Sequence, residues 1–204
     1  MIKVGMTGGS GSGKSTLCNY LNKNYHVPIY YVDVEANGIL NRSVEVQKKV
    51  IEEFGELSYS EGKFDKAYMR NIVFSDADKL TKLNEIVFPE VESDVSKWFR
   101  AMELNGQHYA VMENAILFES LGRGMFDRVI MVTAPLYMRV ERIRSRDGIT
   151  EEQAKKRIAM QLPDELKIKF SDFVLSTRRQ GDAEYNIQEI HRDLLNNHTR
   201  DGWS

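Results

Sequence analysis

Five short apolar runs, separated by stretches of helical texture, organise this chain. Ile2 to Thr7, Ile29 to Val32, His108 to Met112, Val129 to Thr133 and Phe173 to Leu175 each read as a buried strand. Between them apolar residues recur at helical spacing, as Leu17 and Leu21 do after the first run. Strands joined by long helical crossovers lie parallel, and their sheet carries helices on both faces. The pattern predicts an α/β fold, a three-layer sandwich around a five-stranded parallel sheet.

Two intervals are longer than a crossover needs. Residues 41–104 have helical texture with no convincing strand, which predicts a helical insertion over the C-terminal edge of the sheet, where open α/β folds bind ligands. Residues 136–166 form a second helical excursion, and Arg139, Arg142 and Arg146 share a helix face there at spacings of three and four. The polar residues 196–204 read as a fraying tail. No internal repeat or low-complexity segment divides the chain, so 1–204 is expected to be a single domain.

The first strand runs directly into Gly8-Gly9-Ser10-Gly11-Ser12-Gly13-Lys14-Ser15-Thr16, which satisfies G-x-x-x-x-G-K-[ST] without a mismatch. Strand, glycine loop and helix together make the P-loop of nucleoside triphosphate enzymes. A loop that wraps polyphosphate turns consecutive N–H groups inward, and glycines supply the backbone freedom. Gly9 to Thr16 are therefore expected to hold ATP, with Lys14 on the β- and γ-phosphates and the Ser15 hydroxyl on Mg²⁺. The helix N-terminus adds positive potential beneath the anion. A flexible Gly/Ser turn would require neither the Lys-Ser pair nor the preceding strand.

The formal net charge of −2 provides no basic surplus for nucleic acid. A single cysteine excludes an internal disulfide, and no basic-then-apolar leader or long apolar span is visible, so the chain reads as cytoplasmic with no membrane partner. Cys18 is expected to pack behind the loop rather than to act as a nucleophile. None of the four histidines has a metal-ligand partner at a recognisable spacing.

Asp33 follows the second strand and would emerge at the same sheet edge as the loop, placed to accept a hydroxyl proton or to help position Mg²⁺. Equally, it could cap a helix beginning near Glu35. Glu113 ends the third strand, where a carboxylate can order metal or water; the alternative is a surface glutamate. Arg142 and Arg146 suit a lid that closes over transferring phosphate, whereas Arg144 reads as a solvated charge.

These residues resemble the dephospho-coenzyme A kinases from Val4 to about Leu175. Met6 to Thr16 is similar to L-T-G-G-I-G-S-G-K-S-T, with Ser10 in place of isoleucine. Asp33-Val34-Glu35 resembles D-A-D, Phe64 to Phe74 resembles L-D-R-x-x-L-x-x-x-V-F, and Leu83 to Pro89 resembles L-N-x-I-x-H-P. Lys66 and Phe88 replace the usual arginine and histidine. Glu113 to Glu119 is similar to D-I-P-L-L-F-E with Ala115 for proline, and Arg142 to Asp147 followed by Arg157 to Gln161 matches the lid. Phe173-Val174-Leu175-Ser176-Thr177 departs from V-I-x-N-x-G, a turn that in the family lies beside the adenine.

The resemblance implies phosphorylation of the ribose 3′-hydroxyl of dephospho-CoA by MgATP. Asp33 would be the base, with Lys14, Arg142 and Arg146 also catalytic. Residues 41–104 become the acceptor-binding region, and Asp33, Glu35, Lys66, Arg70, Asn84 and Glu113 become acceptor contacts. Two other classes share the loop. One is a nucleoside or nucleotide monophosphate kinase; the other is a switch or binding module that has lost phosphotransfer. No [NT]-K-x-D segment of a GTPase is present in the expected half.

Overall fold

The computed structural model describes residues 1–73 and 76–196, without the side chain of Ala77. Phe74 and, from 197 on, the expected tail lie outside the described residues. The chain divides into two units, one of residues 1–30 with 98 onward and the other of residues 31–97.

The first unit is built on the sheet. β1 (Ile2–Thr7), β2 (Ile29–Tyr31), β5 (Tyr109–Glu113), β6 (Arg128–Thr133) and β7 (Phe173–Ser176) form one five-stranded sheet in the order β2-β5-β1-β6-β7. Val4, Met6, Ala110, Val111 and Val129 to Val132 are fully buried in it, as expected of parallel strands covered on both faces. Register runs from Ile2↔Tyr109 to Met6↔Glu113 and from Val4↔Arg128 to Thr7↔Met131. Thr133 pairs with Ser176 in the next strand. The ends Thr7, Glu113, Thr133 and Ser176 thus share one edge.

Each expected strand forms, β1 as expected and the others with an end shifted by one residue. Val32, read as strand, instead opens α2 (Val32–Arg42). α1 (Lys14–Tyr25) starts immediately after Gly13 and buries Leu17, Cys18 and Leu21. α10 (Gln180–Asn196) turns Ala183, Ile187, Ile190 and Leu194 inward beside α1 and β7. The region from 136 contains α7 (Leu136–Asp147), α8 (Glu151–Ala159) and α9 (Asp164–Lys169). Val140, Ile143 and Ala154 form a small core that holds α7 to α8, and Thr150 and Gln153 make a reciprocal capping box at the start of α8.

The second unit is mainly helical: α2, α3 (Val44–Phe54), α4 (Lys66–Val73) and α5 (Ala77–Leu104) as far as residue 97. Val46, Val50 and Phe54 of α3 and Val87, Val91 and Val95 of α5 are buried, both series at i, i+4 spacing. The expectation of no strand here needs one correction. Tyr59–Ser60 (β3) and Lys63–Phe64 (β4) pair antiparallel around Glu61 and Gly62, whose φ angles are 51° and 73°. Two left-handed central residues make the tight hairpin turn, and two-residue strands are too short to show alternation.

Candidate active site

The carbonyls of the glycine loop are held by side chains. Lys14 Nζ donates to Gly8 O at 2.8 Å and to Gly9 O at 3.4 Å. Arg139 Nε donates to Ser10 O at 3.0 Å, Arg142 Nη1 to Gly11 O at 3.1 Å, and the Thr177 hydroxyl to Ser12 O at 2.6 Å. Five successive carbonyls are therefore engaged by side chains from α1, α7 and the end of β7. The bonds from Lys14 and the two arginines are charge-assisted, about twice as strong as neutral ones, so they hold the shape of the loop before any ligand arrives. Gly13, at φ 96°, turns the chain into α1 in a left-handed conformation that glycine adopts without strain.

Gly9 serves a different purpose. A Cβ built there would stand 1.8 Å from Arg139 Nη2. The buried Arg139 guanidinium lies across this gap and also pairs with Asp164 at 3.0 Å. Behind the loop, the Cys18 thiol contacts Met6 Sδ at 3.3 Å. Burial, reinforced by the nearby Glu113 charge, pushes that thiol well above its ordinary range, which leaves it packed and protonated.

Glu113 is buried, not a surface residue, and its carboxylate lies 3.7 Å from Lys14 Nζ. The segment after it is anchored. Asn114 N–H donates to Met6 O at 3.0 Å. The fully buried Lys167 of α9 donates to Ala115 O at 2.8 Å and pairs with Glu119 of α6 (Leu117–Ser120) at 2.9 Å. Glu119 Oε1 also accepts the Leu162 N–H at 2.9 Å. The opening beside Thr16 is a cleft of about 690 Å³, lined by Gly13, Thr16, Tyr20, Arg142, Thr177 and Gln180 among others.

Arg139, Arg142 and Arg146 of α7 part company. Arg139 and Arg142 turn to the loop, whereas the exposed Arg146 pairs with Asp147 at 2.7 Å. Asp147 also receives Arg157 at 2.7 Å, and hydrogen bonding from Arg146 holds its carboxyl below the usual range. Arg144 forms an exposed pair with Glu141 at 3.3 Å, in keeping with a solvated charge. Ser15 and Thr16 are exposed at the start of α1.

In the second unit Asp33 is exposed in the first turn of α2, whose N-cap is Tyr31; the helix starts earlier than Glu35, so Asp33 is not its cap. A carboxylate there is favoured by the helix macrodipole. Glu35 pairs with Arg42 at 3.2 Å, and Arg42 also reaches Asp94 at 3.2 Å. Lys66 and Arg70 are exposed on α4, and Asn84 and Phe88 are half-buried on α5. Arg139, Asp164, Lys167 and Gln161, whose Oε1 accepts the Ser10 N–H at 2.8 Å, were given no individual role by the sequence. Only the position of Arg139 three residues before Arg142 hinted at its direction.

A model of the dephospho-CoA kinase family matches residues 2–182. The chain belongs to the dephospho-CoA kinase family. It is 30% identical over 176 residues to a Bacillus anthracis dephospho-CoA kinase, with 86% of this chain and 88% of that protein covered. A rice dephospho-CoA kinase, from Oryza sativa subsp. japonica, is 33% identical over 196 residues, covering 95% and 85%. The solved dephospho-CoA kinase of Campylobacter jejuni shares the fold, with a TM-score of 0.71 at 22% identity and 96% and 98% coverage. Like other kinases of the P-loop fold, the family uses a nucleotide and a small-molecule substrate. Just past β7, the Thr177 hydroxyl ties Ser12 O to Arg142 Nη1 at 2.6 and 2.9 Å. Among the described residues no helix is long and apolar enough to cross a membrane.

Proposed function

We propose that this chain transfers the γ-phosphoryl group of ATP to the ribose 3′-hydroxyl of dephospho-CoA, giving CoA and ADP. The observation that carries the reading is a glycine loop whose carbonyls 8–12 are fixed by side chains from α1, α7 and the end of β7, in a chain that matches this family over residues 2–182. The acceptor oxygen bonds to the γ-phosphorus as the bond to the β–γ bridging oxygen breaks, and ADP departs. Asp33, exposed at the start of α2, takes the hydroxyl proton. Lys14 and Arg142 hold charge near the loop, and Arg146 exchanges Asp147 for the transferring group. Glu35, Lys66, Arg70, Asn84 and Glu113 complete the acceptor contacts in this reading.

The described residues contain no cluster of three or more His, Cys, Asp or Glu that could hold a metal. The exposed Ser15 hydroxyl at the head of α1 suits a Mg²⁺ that arrives with ATP, and Ser15 is the residue that would hold it. When bound, the ion neutralises charge on the β- and γ-oxygens. The test is an acceptor panel of dephospho-CoA, nucleosides and nucleoside monophosphates, scored by ADP release and by the 3′-phosphorylated product. Turnover confined to dephospho-CoA is expected. Preferential transfer to a nucleoside or monophosphate, or ATP hydrolysis with transfer to nothing, would overturn the assignment.

A further inference from the structure

We propose that Gln161 is a positioning residue for phosphoryl transfer, which acts on Lys14 through the peptide that joins Gly9 to Ser10. The inference rests on the reading of the loop as a nucleoside triphosphate site. It adds how a residue distant in sequence sets the place of the lysine.

That peptide is held at both ends. Its N–H donates to Gln161 Oε1 at 2.8 Å. Its carbonyl, Gly9 O, accepts from Lys14 Nζ at 3.4 Å and from the Ser12 N–H at 3.1 Å. A backbone N–H can only donate, so the carboxamide atom that meets it is the oxygen. A peptide unit is planar and turns as one body, so fixing its N–H also fixes the direction of its C=O. In the next peptide the Ser10 carbonyl accepts from Arg139 Nε at 3.0 Å. The two anchors of Ser10 have a common footing. Gln161 lies in the joint between α8 and α9, and Arg139 pairs at 3.0 Å with Asp164, the first residue of α9.

The joint is itself well anchored. The Gln161 N–H donates to Ile158 O at 3.2 Å, and Ile158 packs on the small core of Val140, Ile143 and Ala154. Leu162 precedes Pro163, which restricts it to extended backbone, and its N–H goes to Glu119 Oε1 at 2.9 Å. Glu119 is in turn held by the buried Lys167 at 2.9 Å. A glutamine on a loose linker would have to order its own backbone for one hydrogen bond, a cost that exceeds the net gain. Here the backbone is ordered already, so the bond can set the peptide. Glutamine also suits the place chemically, because its oxygen accepts a hydrogen bond without bringing a negative charge beside a polyphosphate. As the bond to the departing phosphoryl group breaks, charge grows on the oxygen left on ADP. A fixed ammonium stabilises that charge more than it stabilises bound ATP, so loosening Lys14 shows in the rate more than in the binding.

The test compares Gln161→Met, which keeps the length and loses the acceptor, with Gln161→Glu, which keeps an acceptor oxygen. In the full chain without nucleotide, amide hydrogen exchange at Ser10, read by NMR, should quicken about tenfold in Gln161→Met and stay slow in Gln161→Glu. Unchanged exchange in Gln161→Met, or equal quickening in both variants, overturns the inference. With dephospho-CoA as acceptor, Gln161→Met should lower kcat about tenfold, while the dissociation constant for ATP changes less than about threefold. An unchanged kcat, or a loss confined to ATP binding, overturns it as well. If the native chain transfers nothing to dephospho-CoA, the acceptor assignment has failed; Ser10 exchange, with the rate of ATP hydrolysis in place of kcat, still decides the inference.

Discussion

Arg139 occupies the space that a side chain on Gly9 would need. Its Nη2 atom lies 1.8 Å from an ideal Cβ at residue 9, while its Nε holds Ser10 O at 3.0 Å. The glycine and the arginine work as a pair: one leaves the gap, and the other fills it and pins the loop. Gly9→Ala should therefore act through Arg139. Displacing the guanidinium forfeits its bonds to Ser10 O and Asp164, with an expected loss of about 2–3 kcal/mol in stability. Urea unfolding of Gly9→Ala, Arg139→Ala and the double variant forms a cycle. The double variant should be scarcely less stable than Arg139→Ala; simple additivity would show that the two residues are independent.

Thr177→Val keeps the shape and removes the hydroxyl. Ser12 O and Arg142 Nη1 each lose a partner, at 2.6 and 2.9 Å in the native chain. Each unsatisfied group costs about 1–3 kcal/mol, so ATP affinity should fall roughly tenfold and the melting temperature by a few degrees. Calorimetric titration with ATP provides the measurement. Thr177→Ser should retain most of the binding.

Lys167 has a side-chain exposure of 0%, against 23% for its partner Glu119. Removing the ammonium by Lys167→Ala leaves a partly buried carboxylate and frees Ala115 O. Breaking a buried pair from one side costs about 3–5 kcal/mol, and the water available to Glu119 brings the expectation to the lower end, about 3 kcal/mol. Chemical denaturation checks this. Adding Glu119→Gln to Lys167→Ala should restore part of the loss, because the unpaired charge is gone.

His191 couples stability to pH. Its Nδ1 lies 2.8 Å from Tyr109 Oη, and its ring stacks on Tyr25 at 4.1 Å. In the neutral ring Nδ1 and the phenol can share one hydrogen bond, whichever of them donates. Burial, with a smaller push from Arg192, lowers the imidazole pKa. The unfolded chain therefore binds the proton more readily. The contribution is complete above about pH 6.5, the unfolded value, and is lost as pH falls from there through the folded value. Unfolding free energies measured between about pH 7 and 5 should decline in the native protein and less steeply in His191→Gln, with equal slopes counting against the assignment.

The strands and the loop were legible because their signals are local: short apolar runs, a glycine pattern, a Lys-Ser pair. The support around the loop was not, because it joins residues far apart in sequence. Arg139 meets Ser10 across 129 positions, Gln161 meets Ser10 across 151, and Thr177 meets Ser12 across 165. Nothing in the neighbourhood of Thr177 indicates that its hydroxyl will face inward. The arginine triplet shows the same limit, since helical spacing put all three on one face but Asp147, the residue after Arg146, draws that side chain away from the loop. In residues 41–104 the hairpin escaped notice because its two strands are each two residues long.

The pinned carbonyls tie the nucleotide to folding as well as to catalysis. Arg139, Arg142 and Thr177 come from α7 and the end of β7, and they meet the loop only after the sheet has closed. An unfolded chain has the glycines and the lysine but not the bonds that hold carbonyls 10–12. ATP should therefore bind the native state almost exclusively, and its concentration becomes a thermodynamic weight on folding, worth about 2.7 kcal/mol at a hundred times the dissociation constant. A fall in cellular ATP would slow this protein and at the same time expose more of it to unfolding.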